Sequence, residues 1–198
     1  MIEIRRATPA DAPALATTLA EAFDGDPVWS WMIPAAHRPK RLERIFGALL
    51  AYALPRGHVY TTGDLRSVAV WSPPRQWEMP QKELLKAAPS ILRGAGLRTG
   101  RLLGRLSAVD RHHARQPPEH WYLEFIGTAR SGRGQGLGSA VLSDALRRFD
   151  ADGLPVYLES SNPRNLPFYR RHGFEVSGDV PVDSGPPQPA LWRSPGQV

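Results

Sequence analysis

Apolar residues recur along this chain at two different periods, and the switches between them mark its elements. Residues 2–6 (IEIRR) alternate as a first strand. Thr8-Pro9-Ala10-Asp11 then reads as an N-cap, a proline in the first turn and an acid at a helix start, with Leu15, Leu19, Ala22 and Phe23 following on one helical face. Asp24-Gly25-Asp26-Pro27 breaks that helix. A cluster holding Trp29 and Trp31 comes next, then a second helix over residues 38–54 that Pro55-Arg56-Gly57 ends. Short strands at 58–62 and 66–71 flank the hairpin-like turn Thr62-Gly63-Asp64. Residues 75–118 read as helical and basic. After them the pattern gives a strand at 120–128, a helix at 136–151, a strand at 154–159, a short helix from Asn165 to Gly173 and a strand at 174–177. A last short strand falls near 190–193, inside a Pro/Gly-rich tail that starts at about residue 181.

This alternation of β and α elements predicts an α/β layer fold. The 198 residues suit one domain able to bury a substantial core, and no internal repeat is present. No apolar run approaches the length of a membrane span, and the first five residues lack the apolar core of a signal peptide, so the expected compartment is the cytoplasm, with no membrane partner.

The composition narrows the chemistry. Zero cysteines exclude disulfides, thiolate ligands and an acyl-cysteine intermediate. Six histidines show no ligand-like spacing, so no metal is expected. A net charge of +6 and a pI near 10.2 favour an anionic partner. Arg93, Arg98, Arg101, Arg105, Arg111 and Arg115 interleave with Leu92, Leu97, Leu102, Leu103 and Leu106, which reads as an amphipathic segment with a solvated basic face. No nucleic-acid-binding motif accompanies these arginines, so nucleic acid is not the expected partner.

The anion site is marked by glycines at 132, 134, 136 and 138, between a predicted strand and a predicted helix. A helix start offers unpaired N–H groups and the positive end of the helix dipole, which suits a phosphate. The stretch is neither a P-loop, since no Gly-Lys-Ser/Thr follows, nor GxGxxG in any frame. Arg133-Gly134-Gln135-Gly136-Leu137-Gly138 instead resembles the acyl-coenzyme A pyrophosphate loop, Arg/Gln-x-x-Gly-x-Gly, of the GNAT acetyltransferases. Further on, Asn165, Phe168, Tyr169, Gly173 and Phe174 match the Asn-x-x-Phe/Leu-Tyr and Gly-Phe pattern of many GNAT enzymes. RRATPADAPALATTLAEAF, WYLEFIGTARSGRGQGLGSAVL and ESSNPRNLPFYRRHGF are also similar to the puromycin N-acetyltransferase branch. The likeness is weak over residues 75–115, which border the acceptor pocket in that family.

The resemblance implies a single domain with a mixed, mostly antiparallel sheet flanked by helices, and acetyl-CoA as co-substrate. It places pantetheine along Ile126, Gly127 and Thr128, the pyrophosphate on the N–H groups of Arg133 through Ser139, and a coenzyme A contact at Asn165. It also makes the loop carrying Asp24, Asp26, Trp29 and Trp31 an acceptor wall. Amide formation from a thioester needs a neutral amine and a proton for the departing thiolate. Tyr169, a phenol of ordinary pKa about 10, is the candidate acid, and packing beside Phe168 is its structural alternative. Alternation along residues 120–128 puts His120, Tyr122, Glu124 and Ile126 on one face, which makes Glu124 the candidate base, with His120 or a water chain in reserve. Glu159 reads as part of a structural turn. The expected activity is direct acetyl transfer to a primary amine of a small molecule, antibiotic or amino-acid-like, by a monomer or homodimer. A protein or peptide acceptor and a non-catalytic acyl-CoA-binding module are the alternatives.

Overall fold

A computed structural model describes residues 2–196; Met1, Gln197 and Val198, the ends of the expected domain, lie outside the described residues. Strands β1 (Ile4–Arg6), β2 (Val59–Thr62), β3 (Ser67–Ser72), β4 (Trp121–Thr128), β5 (Val156–Glu159), β6 (Glu175–Asp179) and β7 (Pro189–Arg193) form one sheet. Their spatial order is β1-β2-β3-β4-β5-β7-β6. Every neighbouring pair is antiparallel except β4 and β5, which run parallel. That parallel ladder has two pairs, Trp121 with Val156 and Tyr122 with Tyr157, and stops there.

Helices α1 (Ala12–Phe23), α2 (Pro27–Met32), α3 (Arg38–Ala53) and α4 (Gln81–Ala95) build the layer on one face, and α5 (Thr99–His113) follows α4 through a short 3-10 turn. On the other face lies α6 (Leu137–Ala151), and α7 (Leu166–Arg170) is a single short helix after β5. Period-2 alternation in β3 feeds both layers. Val68 and Val70 join Leu15, Leu19, Leu42 and Phe46, while Ala69 and Trp71 join Val141, Leu142 and Phe149 of α6. Each large apolar side chain buried in this way contributes about 1.5–3 kcal/mol.

Local chemistry sets the entry to α1. The backbone N–H of Thr8 donates to Asp11 Oδ2 at 2.8 Å, and Arg5 clamps the same carboxylate through two hydrogen bonds of 2.8 Å. These contacts hold the Asp11 carboxyl well below the usual carboxylate range. The cluster at Trp29 and Trp31, expected in a loop, is the helix α2. Asp26 caps it by accepting from Trp29 N at 3.0 Å.

Two expectations from periodicity give way. In β4 the register slips, because Val70 opposes Phe125 while Trp71 opposes Leu123, which leaves Glu124 as the unpaired residue of a bulge. Leu123 and Ile126 therefore pack toward the α6 layer and Phe125 toward the other, so a single face for 120, 122, 124 and 126 does not survive. The basic segment also differs from an amphipathic helix with buried leucines. Leu92, Leu97, Leu103 and Leu106 are exposed and Leu102 alone of the five is buried, whereas Arg105 is 3% exposed. The cause is carbonyl satisfaction: Arg105 reaches Ser184 O and Pro186 O at 3.0 Å, and Arg98 reaches the carbonyls of Ser30, Trp31 and Ile33.

Candidate active site

Beyond Thr128 the chain makes a 3-10 turn at Arg130–Gly132, crosses Gly134 and Gly136, each with φ near 75°, and enters α6 at Leu137. That left-handed backbone is what glycine supplies without strain, and a Cβ at either position would meet only open space. The N–H groups of Gly134 and of Gly136 through Ser139 have no acceptor among the described residues. They belong to the first turn of a 15-residue helix and to the loop leading into it. Gly138 serves close packing instead, since a Cβ there would stand 3.2 Å from Thr128 Oγ1. The donor nest fits a pyrophosphate: it is open, unpaired and backed by Arg130 and Arg133 on the wall of a cleft of about 540 Å³.

The other loop side chains do different work. Gln135 is folded back onto the loop, its Nε2 donating to Ser131 O at 2.7 Å and its Oε1 accepting from Arg66. Leu137 is buried in the core, and Ser139 Oγ lies 3.2 Å from His172 Nε2. Ile126, Gly127 and Thr128 line the cleft from β4. Asn165 lines it from the turn before α7 and makes no side-chain cap to that helix; Asn162 caps the turn, accepting from Arg164 N at 3.1 Å.

Tyr169 marks the place where this cleft meets a second cavity of about 180 Å³, for it lines both, as do Phe23, Ile126 and Asn165. The residue is buried, its ring set edge-on to Phe168 and Phe174. Burial, reinforced by the negative charge of Asp26, pushes the phenol well above its ordinary pKa, so the proton stays on the oxygen.

The second cavity is acidic and aromatic. Glu124 projects from the β4 bulge into it, its carboxyl hydrogen-bonded by Ser72 Oγ, and burial raises its pKa against the pull of that bond and of Arg56. Glu159, at the end of β5, also lines it. Burial raises Glu159 to about 7, with Asp110 adding repulsion while the phenols of Tyr122 and Tyr157 oppose the rise. Tyr122 Oη donates to Glu159 Oε2 at 2.7 Å. Sequence reasoning set Glu159 aside. A carboxyl two residues after Tyr157 on a buried strand, and so on the same face, was the signal available.

The proposed acceptor wall is split by the fold. Trp29 lines the second cavity while packing in the core against Phe46 at 4.9 Å between ring centres. Asp24 and Asp26 line the first cleft, where Asp24 pairs with Arg130 at 2.7 Å. Trp31 lies outside both, under the guanidinium groups of Arg101 and Arg105. His120 is buried against His113, with 2.9 Å between their Nε2 atoms, and lines neither cavity. Among the described residues no group of three or more potential metal ligands occurs, and no helix is long and apolar enough to cross a membrane.

Comparison with known proteins bears on this geometry. Residues 56–174 match the model of the acetyltransferase (GNAT) family. An uncharacterized N-acetyltransferase of Schizosaccharomyces pombe is 26% identical over 180 residues, covering 86% of this chain and 73% of that protein. A Corynebacterium glutamicum structure described as histone acetyltransferase HPA2 and related acetyltransferase superposes with a TM-score of 0.72 at 28% identity, over 100% of this chain and 99% of the other. The Drosophila melanogaster polyamine N-acetyltransferase, at 17% identity and a TM-score of 0.64 over 97% of both chains, shares the fold.

Proposed function

We propose that this chain, which belongs to the GNAT acetyltransferase family and is thereby an acetyl-CoA-dependent acyltransferase, carries acetyl directly to a primary amine of a small antibiotic-like or amino-acid-like molecule. The observation that carries this reading is the meeting of two cavities at Tyr169, one fitted to the pyrophosphate-bearing co-substrate and one acidic and small. At about 180 Å³ the second cavity is below the usual range of about 300–1,000 Å³ for drug-sized ligands, which suits a small amine or one arm of a larger one. The likeness of the 159–174 stretch to the puromycin branch agrees with a small-molecule acceptor.

Acetyl-CoA supplies an activated acetyl thioester. The N–H groups around Gly134–Ser139, with Arg133 beside them, hold its pyrophosphate, and Ile126, Gly127, Thr128 and Asn165 guide the arm toward Tyr169. Glu124 draws the acceptor ammonium to the junction and takes its first proton to give the neutral amine, and the second proton, shed as the amide forms, replaces the one that Tyr169 gives to sulfur. Tyr169 holds its proton at every working pH and donates it to the departing sulfur. With no cysteine to carry an acyl group, both substrates occupy the protein together.

Release of free thiol from acetyl-CoA across a panel of primary amines and peptides tests the reading. Turnover of small amines with intersecting initial-rate patterns is expected. Acetylation of peptides alone, or parallel ping-pong patterns, overturns it.

A further inference from the structure

Between Ala129 and Leu137 the chain is weakly tied to itself. Gly132, Gly134 and Gly136 leave its backbone free to turn, and two of its internal bonds, Arg133 N to Arg130 O and Gln135 N to Gly132 O, are stretched to 3.4 Å. A set of N–H groups binds an anion well when it is aimed before the anion arrives. The aim must therefore come from outside the loop. On one side Glu21 accepts from Arg130 N at 2.9 Å, and its carbonyl accepts from Arg133 Nη2 at 3.2 Å. On the other side the turn between β2 and β3 delivers Arg66, whose Nη1 donates to Ser131 O and to Gln135 Oε1, both at 3.2 Å. Gln135 completes the brace by donating to Ser131 O at 2.7 Å. Gly132 lies against the stem of Arg66, since a Cβ on that glycine would stand 3.4 Å from Arg66 Cβ.

Arg66 is itself held in place. Asp64 accepts from its Nε at 2.7 Å and from its backbone N at 3.0 Å, and Thr62 Oγ1 donates to the same carboxylate at 2.6 Å. The Thr62 hydroxyl, with help from Arg66, holds the Asp64 carboxyl down to about 2, so the anchor stays ionised. Between them Leu65 adopts left-handed backbone at φ 62°, unfavourable for a residue with a Cβ. Thr18 Oγ1 keeps it there by donating to its carbonyl at 2.8 Å, and its own N–H donates to Thr62 O at 2.9 Å. With side chains 37% and 43% exposed, the Arg66–Asp64 pair adds too little stability to account for that strain. Arg66 lines neither the cleft nor the acceptor cavity, so it acts through the loop. Resting on the reading of this loop as the pyrophosphate site, we propose that Arg66 is a positioning residue for the co-substrate. Anchored by Asp64, it fixes the back of the loop so that the N–H groups on the front converge on the pyrophosphate.

The test compares acetyl-CoA with S-acetylpantetheine, which carries the same thioester and arm without the pyrophosphate, in the whole chain and in Arg66→Met, which keeps the stem and removes the donors. The variant is expected to bind coenzyme A at least about fivefold more weakly in calorimetric titration, about what one net hydrogen bond is worth, and to raise KM for acetyl-CoA in step. Its kcat, its KM for the amine and its kcat/KM for S-acetylpantetheine should stay at wild-type values. Arg66→Lys keeps the charge without the fork and should recover part of the loss. Full recovery with lysine, or a loss that falls equally on both thioesters, overturns the proposal. If Arg66→Met does not fold, Asp64→Asn frees the anchor with Arg66 in place and should move the same quantities in the same direction. Wild-type affinity for coenzyme A in whichever variant folds also overturns the proposal, and leaves the pyrophosphate reading intact. Equal kcat/KM of the wild-type protein for the two thioesters overturns that reading and the proposal with it.

Discussion

Ser161 Oγ donates to Asp26 Oδ2 at 2.6 Å across 135 residues of chain. Asp26 caps α2, and Ser161 follows β5, so this bond ties the two sides of the cleft together where Tyr169 joins the two cavities. Asp26 is buried and its pKa is raised by that burial, with the bonds from Ser161 and Trp29 acting in the opposite sense.

Ser161→Ala removes a hydrogen bond from a buried carboxyl. We expect a loss of about 1–3 kcal/mol in urea unfolding, the range for a buried acceptor left without its donor. An unchanged midpoint would show that the bond contributes nothing to holding the cleft.

Tyr169→Phe keeps the ring packing against Phe168 and Phe174 and deletes the acidic proton. The expectation is a fall in kcat of about 10²–10⁴-fold, the range for general acid–base catalysis, with the thermal shift produced by coenzyme A retained. Wild-type kcat in the variant would assign the tyrosine to packing.

Gly136→Ala forces an alanine into left-handed backbone at φ near 75°. We expect a cost of about 1–2 kcal/mol and a smaller thermal shift from coenzyme A, because the strained loop turns its N–H groups out of register. A full shift with native stability would argue that the loop does not carry the pyrophosphate.

Glu159→Gln separates charge from shape. The folded-state pKa of Glu159 lies near 7 against an ordinary value of 4.5, so the native protein loses stability as pH rises from about 4.5 through 7. Removing the ionisable group should make the variant more stable than wild type at pH 8, by at most about 3 kcal/mol, and equal to it near pH 4. Parallel stability curves for the two proteins across that window would contradict the burial of this carboxyl.

Asp150→Ala should be severe for a different reason. Arg193 is fully buried and pairs bidentately with Asp150 at 2.6 and 2.8 Å, while its Nε donates to His172 O. Deleting the carboxylate removes two charge-assisted hydrogen bonds from a buried guanidinium, at about 1.5–3 kcal/mol each. Equilibrium unfolding within 1 kcal/mol of wild type, to use about the median worth of a surface pair as the threshold, would refute that account.

Much of this was legible in local pattern. The strand before the glycines, the helix after them and the Asn165–Phe174 segment each carry periodicity or turn chemistry within a few residues, and the structure places those elements where the pattern does. Features set by distant partners were not legible. The bulge at Glu124 exists because β3 and β4 slip by one residue, which no period within β4 records. Arg105 looks solvated until the carbonyls of Ser184 and Pro186 arrive from nearly 80 residues away. Glu159 looks like a turn residue because its neighbours Tyr122 and Asp110 belong to β4 and α5. α2 was missed for another reason: six residues are too few for a helical period to show.

The two-pair ladder between β4 and β5 divides the sheet into a four-stranded and a three-stranded plate. Tension applied across the strands meets its shortest ladder there, where two backbone pairs join β4 to β5. The molecule is thus built like a hinged book whose spine is short, and whatever lies between the plates serves as its binding.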